Sequence, residues 1–439
     1  MKAADSFESW GRNPKAEQSA FHLFWMETPP SDSIPGYLLP RGKGRSYGDV
    51  CLNDHGTLLV TERMDHFLAF DAHSGVLRCE AGVTLGQILE VSVPHGWFLP
   101  VTPGTKIVTV AGAVANDVHG KNHHRYGTFG EHVRAFELVR SDGSRSHCTP
   151  SQNQDLFRAT IGGLGLTGLM LWVEIQLKRI ATPFVWVEKI KCRNLNEFFQ
   201  LSVESESTYE YTVSWVDCLS SGPNLGRGIF MRGNDATLEQ AGHLPSPKGR
   251  KTISIGFDAP NFLLNRLTVL AFNTLYRSMQ PRSPESRLTH YEPFFYPLDA
   301  VDGWNRLYGK RGFYQYQFLV PLQHAATAVA DILKEVSRSG AASFLSVMKT
   351  LGNRPAAGIM SFPREGLTLT MDFPNSGDKT LRLMDELDKI VLQTGGAVYP
   401  AKDARMAPET FRRFFPQWKE FASWVDPRFS SSFWRRVTR

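Results

Sequence analysis

At 439 residues the chain exceeds one ordinary hydrophobic core and reads as two or three domains. A net charge of +6, with 42% hydrophobic and 21% charged residues, argues against a disordered chain and against a nucleic-acid binder. Five cysteines (Cys51, Cys79, Cys148, Cys192 and Cys218), odd in number and without CxxC spacing, argue against a disulfide framework and a structural zinc site.

The N-terminal stretch MKAADSFESWGRNPKAEQ lacks an apolar segment, so no secretory signal is expected and a cytoplasmic protein is the simplest reading. From residue 36 to 180, GTLLVTE, GVLRCEAGV, FELVRSDG and TGLMLWVEIQLKRI predict short strands between glycine turns. A helix is predicted over 84–94, where Leu85, Ile88 and Leu89 share a face. This is an α+β pattern, without the strand–helix alternation of a doubly wound sheet. From residue 181, strands at FVWVEKIKC, GFYQYQFLVP and GLTLTMDFP alternate with amphipathic helices over 324–337 and 380–395. A second sheet covered on one face by helices is implied. Residues 222–282 read as irregular, with a basic run at 247–251. Within them, 261–276 is the least polar long stretch. It is too short, and too interrupted by Asn265, Arg266 and Asn273, to span a bilayer. Its apolar residues suit either a packed helix or contact with a prenyl chain or membrane surface.

Four stretches carry polar chemistry. Arg41-Gly-Lys-Gly-Arg-Ser-Tyr-Gly48 is either a basic turn or an anion nest whose backbone N–H groups would hold a pyrophosphate. Residues 103–115, PGTKIVTVAGAVA, offer small residues and hydroxyls, but not the GxGxxG spacing of a dinucleotide-binding βαβ unit. Residues 116–127, NDVHGKNHHRYG, hold three histidines and a lysine. Without HExxH spacing or a carboxylate cluster, a polar active-site loop is favoured over a metal site. Residues 399–405, YPAKDAR, carry a Lys-Asp pair that could simply be solvated.

In order along the chain, RGKGRSYGD, PGT, TVAGAVANDVHGKNHH, GGLGLTG, YQYQF, the DFP turn and YPAKDAR resemble the decaprenylphosphoryl-β-D-ribose 2-oxidase family. That family belongs to the vanillyl-alcohol oxidase superfamily. The resemblance covers about residues 36–430. It implies a two-domain α+β fold: an FAD-binding domain (1–180), a substrate-binding domain with an antiparallel sheet (181–399), and a C-terminal segment (400–439) completing the first.

The resemblance also implies FAD contacts from Arg41, Gly42, Lys43, Gly44, Arg45, Ser46, Tyr47, Gly104, Thr105, Thr109, Gly112, Ala113, Asn116, Asp117, His119, Gly120, Asn122, Gly165, Gly168, Leu169, Tyr399 and Lys402. Substrate contacts are expected from Lys121, Gln315, Gln317, Lys349, Thr368 and Thr370. Lys402, His119 and Tyr47 are the candidate catalytic residues. Against this, Lys402 could simply pair with Asp403, and His119 could simply fix its loop by hydrogen bonds. The implied reaction oxidises a polyprenyl-phosphoryl ribose-like glycolipid at its 2'-hydroxyl. A separate NAD-dependent keto-reductase and peripheral contact with the inner membrane face would accompany it.

Two departures stand out. Relatives with a histidine in the glycine loop bind flavin covalently, and here the position is Arg45, so non-covalent FAD is expected. The family's cysteine before the DFP turn is Thr370, which lacks a thiolate's reactivity. A soluble polyol or aldonolactone oxidase using dioxygen is the alternative.

Overall fold

The computed structural model describes residues 7–29, 31–242, 252–280 and 283–439, and the basic run at 247–251 lies outside them. The fold is α+β, built on three main sheets. A parallel sheet is formed by Ser19–His22, Thr57–Val60 and Leu38–Arg41, with Thr57–Val60 in the middle. All four residues of that middle strand are buried, as a strand covered on both faces requires. An antiparallel sheet follows in the order Phe67–Asp71, Val76–Glu80, Leu169–Gln176, Val133–Val139, Arg145–Cys148. The predicted helix forms as Leu85–Ser92. Thr84 and Gln87 make a reciprocal capping box, and Leu85, Ile88 and Leu89 are all buried.

The largest sheet has eight strands, all neighbours antiparallel. Their order is Glu285–His290, Phe184–Cys192, Gly228–Asp235, Tyr211–Val216, Ser346–Leu351, Gly366–Pro374, Phe313–Val320, Ala397–Val398. Helices Leu322–Ser339 and Asp378–Gln393 supply the predicted cover. Val329, Ile332, Leu333 and Val336 from the first, and Leu383, Leu387 and Val391 from the second, share one core with Tyr316, Phe318, Leu369 and Met371. Burying each such side chain contributes roughly 1.5–3 kcal/mol. The strand period of two then turns Gln315 and Gln317 to the opposite face.

The expectation of an irregular 222–282 is corrected. Gly228–Asp235 is an interior strand of the large sheet, and Arg266–Ser278 is a helix. GIFMRGND has too little alternation to be read as a strand, but its backbone is paired on both edges, and that pairing overrides its weak propensity.

The C-terminal residues return to the first strands. Arg436 bridges Asp49 at 2.7 Å and Asp403 at 2.9 Å, and Phe429 forms a parallel bridge with Leu38. A Cβ on Gly48 would lie 1.7 Å from the Asp403 carbonyl oxygen, so only glycine lets these two segments meet.

Candidate functional site

A cavity of about 650 Å³ lies between the glycine loop, residues 102–121 and the polar face of the eight-stranded sheet. At one end the chain leaves strand Leu38–Arg41 and turns through Gly44 at φ +59°, where a Cβ would strike the Arg41 guanidinium. The backbone N–H groups of Gly42, Lys43, Gly44, Arg45 and Ser46 donate to no acceptor among the described residues, and all five residues line the cavity. The Tyr47 N–H donates to the Ala401 carbonyl, tying the loop to the C-terminal segment. Thr109 fits against Gly42, whose missing side chain leaves room for the threonine hydroxyl. That hydroxyl also accepts from the Gly112 N–H at 3.1 Å, capping helix Val110–Ala115. The Arg45 guanidinium sits 4.0 Å above the Trp10 ring.

At the other end, Gln315 and Gln317 project from strand Phe313–Val320 and are both buried. Gln315 Nε2 donates to Asp372 Oδ1 at 2.6 Å, its cross-strand partner. Gln317 Nε2 donates to Thr368 Oγ1 at 3.2 Å and lies 3.0 Å from His119 Nε2. Lys402 Nζ lies 3.9 Å above the Tyr47 ring. It is not paired with Asp403, whose carboxylate binds Arg436 and caps Arg405 and Met406. Lys349 Nζ donates to the Gly120 carbonyl at 2.8 Å and Lys121 Nζ to that of Phe295 at 3.3 Å.

Burial governs the charges here. It pushes Lys402 down to about 8, against the opposing pull of Asp372. Burial, then repulsion from Lys121 and Lys402, brings Lys349 down to about 7. Lys121 falls to about 8 by burial. Burial raises Asp372 to about 7, moderated by Gln315 and Lys402. It raises the Tyr47 phenol well above its ordinary range and drops His119 well below its own.

The donor set fits a dinucleotide. Unpartnered amides and cationic side chains suit a pyrophosphate, and the buried Arg45 Nε and Asn116 Oδ1 have no partner among the described residues. A family model described as an FAD binding domain matches residues 34–149. Decaprenylphosphoryl-beta-D-ribose oxidase of Mycolicibacterium smegmatis is 37% identical over 419 residues, covering 91% of this chain and 89% of that protein. The chain belongs to this family. It is an FAD-dependent oxidoreductase. Shorter likenesses reach Delta(24)-sterol reductase of Homo sapiens, 37% identical over 110 residues, which is 25% of this chain and 21% of that protein. They also reach D-lactate dehydrogenase of Archaeoglobus fulgidus, 35% identical over 142 residues, 32% of this chain and 31% of that protein.

Of the residues that the family resemblance marks for cofactor or substrate, Ala113, Asp117, Asn122 and Thr368 do not line the cavity; every other one does. Ala113 is packed in the core. Asp117 accepts from the Gly130 N–H and the Ser361 hydroxyl. Asn122 Nδ2 donates to the Pro100 carbonyl at 2.9 Å. These residues brace the walls. The histidine-rich loop does not converge: His124 Nε2 lies 2.9 Å from the Tyr209 carbonyl, and no group of three or more metal-ligating side chains forms among the described residues.

Sequence reasoning missed Asp372 and Asp299. Asp299 Oδ2 accepts from the Lys106 N–H at 2.8 Å at the cavity wall. Asp372 lies on strand Gly366–Pro374, where a turn was expected, and its two-residue offset from Thr370 was a usable signal, since residues two apart on a strand share a face. Asp299 lies in a stretch with no periodic or motif signal.

Proposed function

We propose that this oxidoreductase converts the 2'-hydroxyl of a polyprenyl-phosphoryl ribose-like glycolipid to the ketone. One observation carries the reading: a single cavity runs from the glycine loop, past Gln315, Gln317 and three half-buried lysines, to an exposed apolar helix. The family relative's name supports the polyprenyl ribose.

The vanillyl-alcohol oxidase arrangement follows, with residues 1–180 and 400–439 around FAD and 181–399 around the substrate. Bound FAD supplies a hydride acceptor, held without a covalent bond because Arg45 occupies the position of the attaching histidine. Lys402 holds a positive charge where negative charge develops on reduction. Gln315 and Gln317 each have the amide nitrogen engaged by the protein, which leaves carbonyl oxygens to accept from sugar hydroxyls. Lys121 and Lys349 anchor the phosphate. Thr370, opposite Gln317 in the sheet register, lines the sugar end.

Helix Arg266–Ser278 carries the lipid end. Phe262, Leu267, Leu275 and Met279 are 60–77% exposed, while Phe272 and Tyr276 line the cavity. An apolar surface continuous with the substrate cavity suits a peripheral lipid contact. Among the described residues no helix is long and apolar enough to cross a membrane. The keto product requires a separate NAD-dependent reductase to complete an epimerisation.

Anaerobic bleaching of the flavin against polyprenyl-phosphoryl pentoses and free polyols tests the substrate. The glycolipid is expected to bleach it and free polyols are not; bleaching by polyols alone overturns the reading. The lipid contact predicts retention on phosphatidylglycerol-containing vesicles, lost in Leu267→Glu/Leu275→Glu. Wild-type protein that passes through unretained removes the membrane contact.

A further inference from the structure

His119 is the cavity residue whose ordinary chemistry best suits taking a proton, yet its surroundings dictate a different state. The Thr368 hydroxyl has one hydrogen, and it donates this to the Phe318 carbonyl at 2.8 Å. Thr368 Oγ1 is therefore left as an acceptor. The Gln317 side-chain atom 3.2 Å from it must be the amide nitrogen, not the oxygen. The same nitrogen lies 3.0 Å from His119 Nε2. An amide NH₂ cannot accept, so Nε2 accepts and carries no hydrogen. The ring proton is then on Nδ1, which is buried and has no partner among the described residues.

The other neighbours oppose a second proton. The cationic groups acting on the ring are Lys349 and Lys402, and the neighbouring titratable His123 is itself held neutral by burial. The rings of Phe362 and Tyr399 pack 5.9 and 5.7 Å away. Burial among apolar rings and cations holds the imidazole neutral.

We infer that Thr368 and Gln317 form a relay that fixes His119 as its neutral Nδ1–H tautomer, so that His119 does not accept the substrate proton. Thr368 and Gln317 are positioning residues in this scheme. The amide orientation also leaves Gln317 Oε1 unbonded within the described chain, as an acceptor for a ligand hydroxyl. The part concerning the substrate proton rests on the proposed function; the tautomer does not.

The test is ¹⁵N-histidine NMR of the purified flavoprotein without substrate, His119 being assigned by its loss in His119→Gln. The expected pattern is a protonated Nδ1 and an unprotonated Nε2, unchanged between pH 8 and pH 6. Thr368→Val should let the amide turn and mix the tautomers, while Thr368→Ser should restore the wild-type pattern. Gln317→Glu, which cannot donate when ionised, should move the proton to Nε2, and it covers the case in which Thr368→Val does not fold. A wild-type Nε2–H signal, or protonation of both nitrogens in that range, overturns the inference. A Thr368→Val spectrum identical to wild type overturns the relay. Because no substrate is present, an incorrect substrate class leaves these outcomes untouched, and flavin bleaching tests that class separately.

Discussion

Lys402→Met is expected to fold and bind FAD but to slow flavin reduction by roughly 10²–10³-fold, the usual effect of removing one preorganised electrostatic contact. Lys402 is half-buried over the Tyr47 ring at 3.9 Å, and Asp372 is the carboxylate that acts on it. Its ammonium has come down to about 8 through burial. The amine is protonated below that pH and neutral above it, so reduction should fall as pH rises through about 8. In Lys402→Met that alkaline limb should vanish. Asp372 is largely ionised by pH 8, since it titrates at about 7, and its negative charge favours protonated Lys402. Asp372→Asn should therefore move the limb to lower pH. Stopped-flow reduction across pH 6–10 checks all three. A wild-type rate in Lys402→Met would remove this residue from the chemistry.

Much of this site was legible because its parts are short, local and chemically loud. Three glycines between cations in RGKGRSYG announce a backbone-lined anion site, and the loop lines the cavity. The YQYQF alternation placed Gln315 and Gln317 on one face, and they share the cavity wall. Burial was not legible. A Lys-Asp dipeptide looks the same whether solvated or enclosed, and only the fold shows Asp403 turned to Arg436 and Lys402 to Tyr47. Asp372 was hidden for a related reason: its role comes from pairing across the sheet with Gln315, 57 residues away in the chain. Likewise Gly228–Asp235 owes its strand to neighbours on both edges rather than to its own composition. Thr368 was read as a substrate contact from the family resemblance, whereas its hydroxyl points to Phe318 and Gln317 behind the wall.

Lys349→Met is expected to stabilise the FAD-free protein while weakening its hold on a phosphate-bearing substrate. Lys349 is enclosed with Lys121 and Lys402, and its amine has dropped from 10.5 to about 7. An unfolded chain holds that proton throughout the pH 7–10 range, so folding at pH 7 must either release it or bury the charge. At about 1.4 kcal/mol for each pKa unit, that costs on the order of 5 kcal/mol. Above pH 7 the folded state binds fewer protons than the unfolded state, so this lysine's penalty is largest at low pH and fades as pH rises toward 10.5. Methionine fills similar volume without a charge. It gives up the bond to the Gly120 carbonyl, worth about 1–3 kcal/mol, which is less than the gain. The melting temperature of the apoprotein should therefore rise most at pH 6–7 and little at pH 9. Inorganic phosphate should stabilise wild type more than Lys349→Met, because the anion supplies the missing counter-charge. A variant that melts lower than wild type at pH 6.5 would show that Lys349 holds the loop at Gly120 rather than being kept against its own cost for an anion.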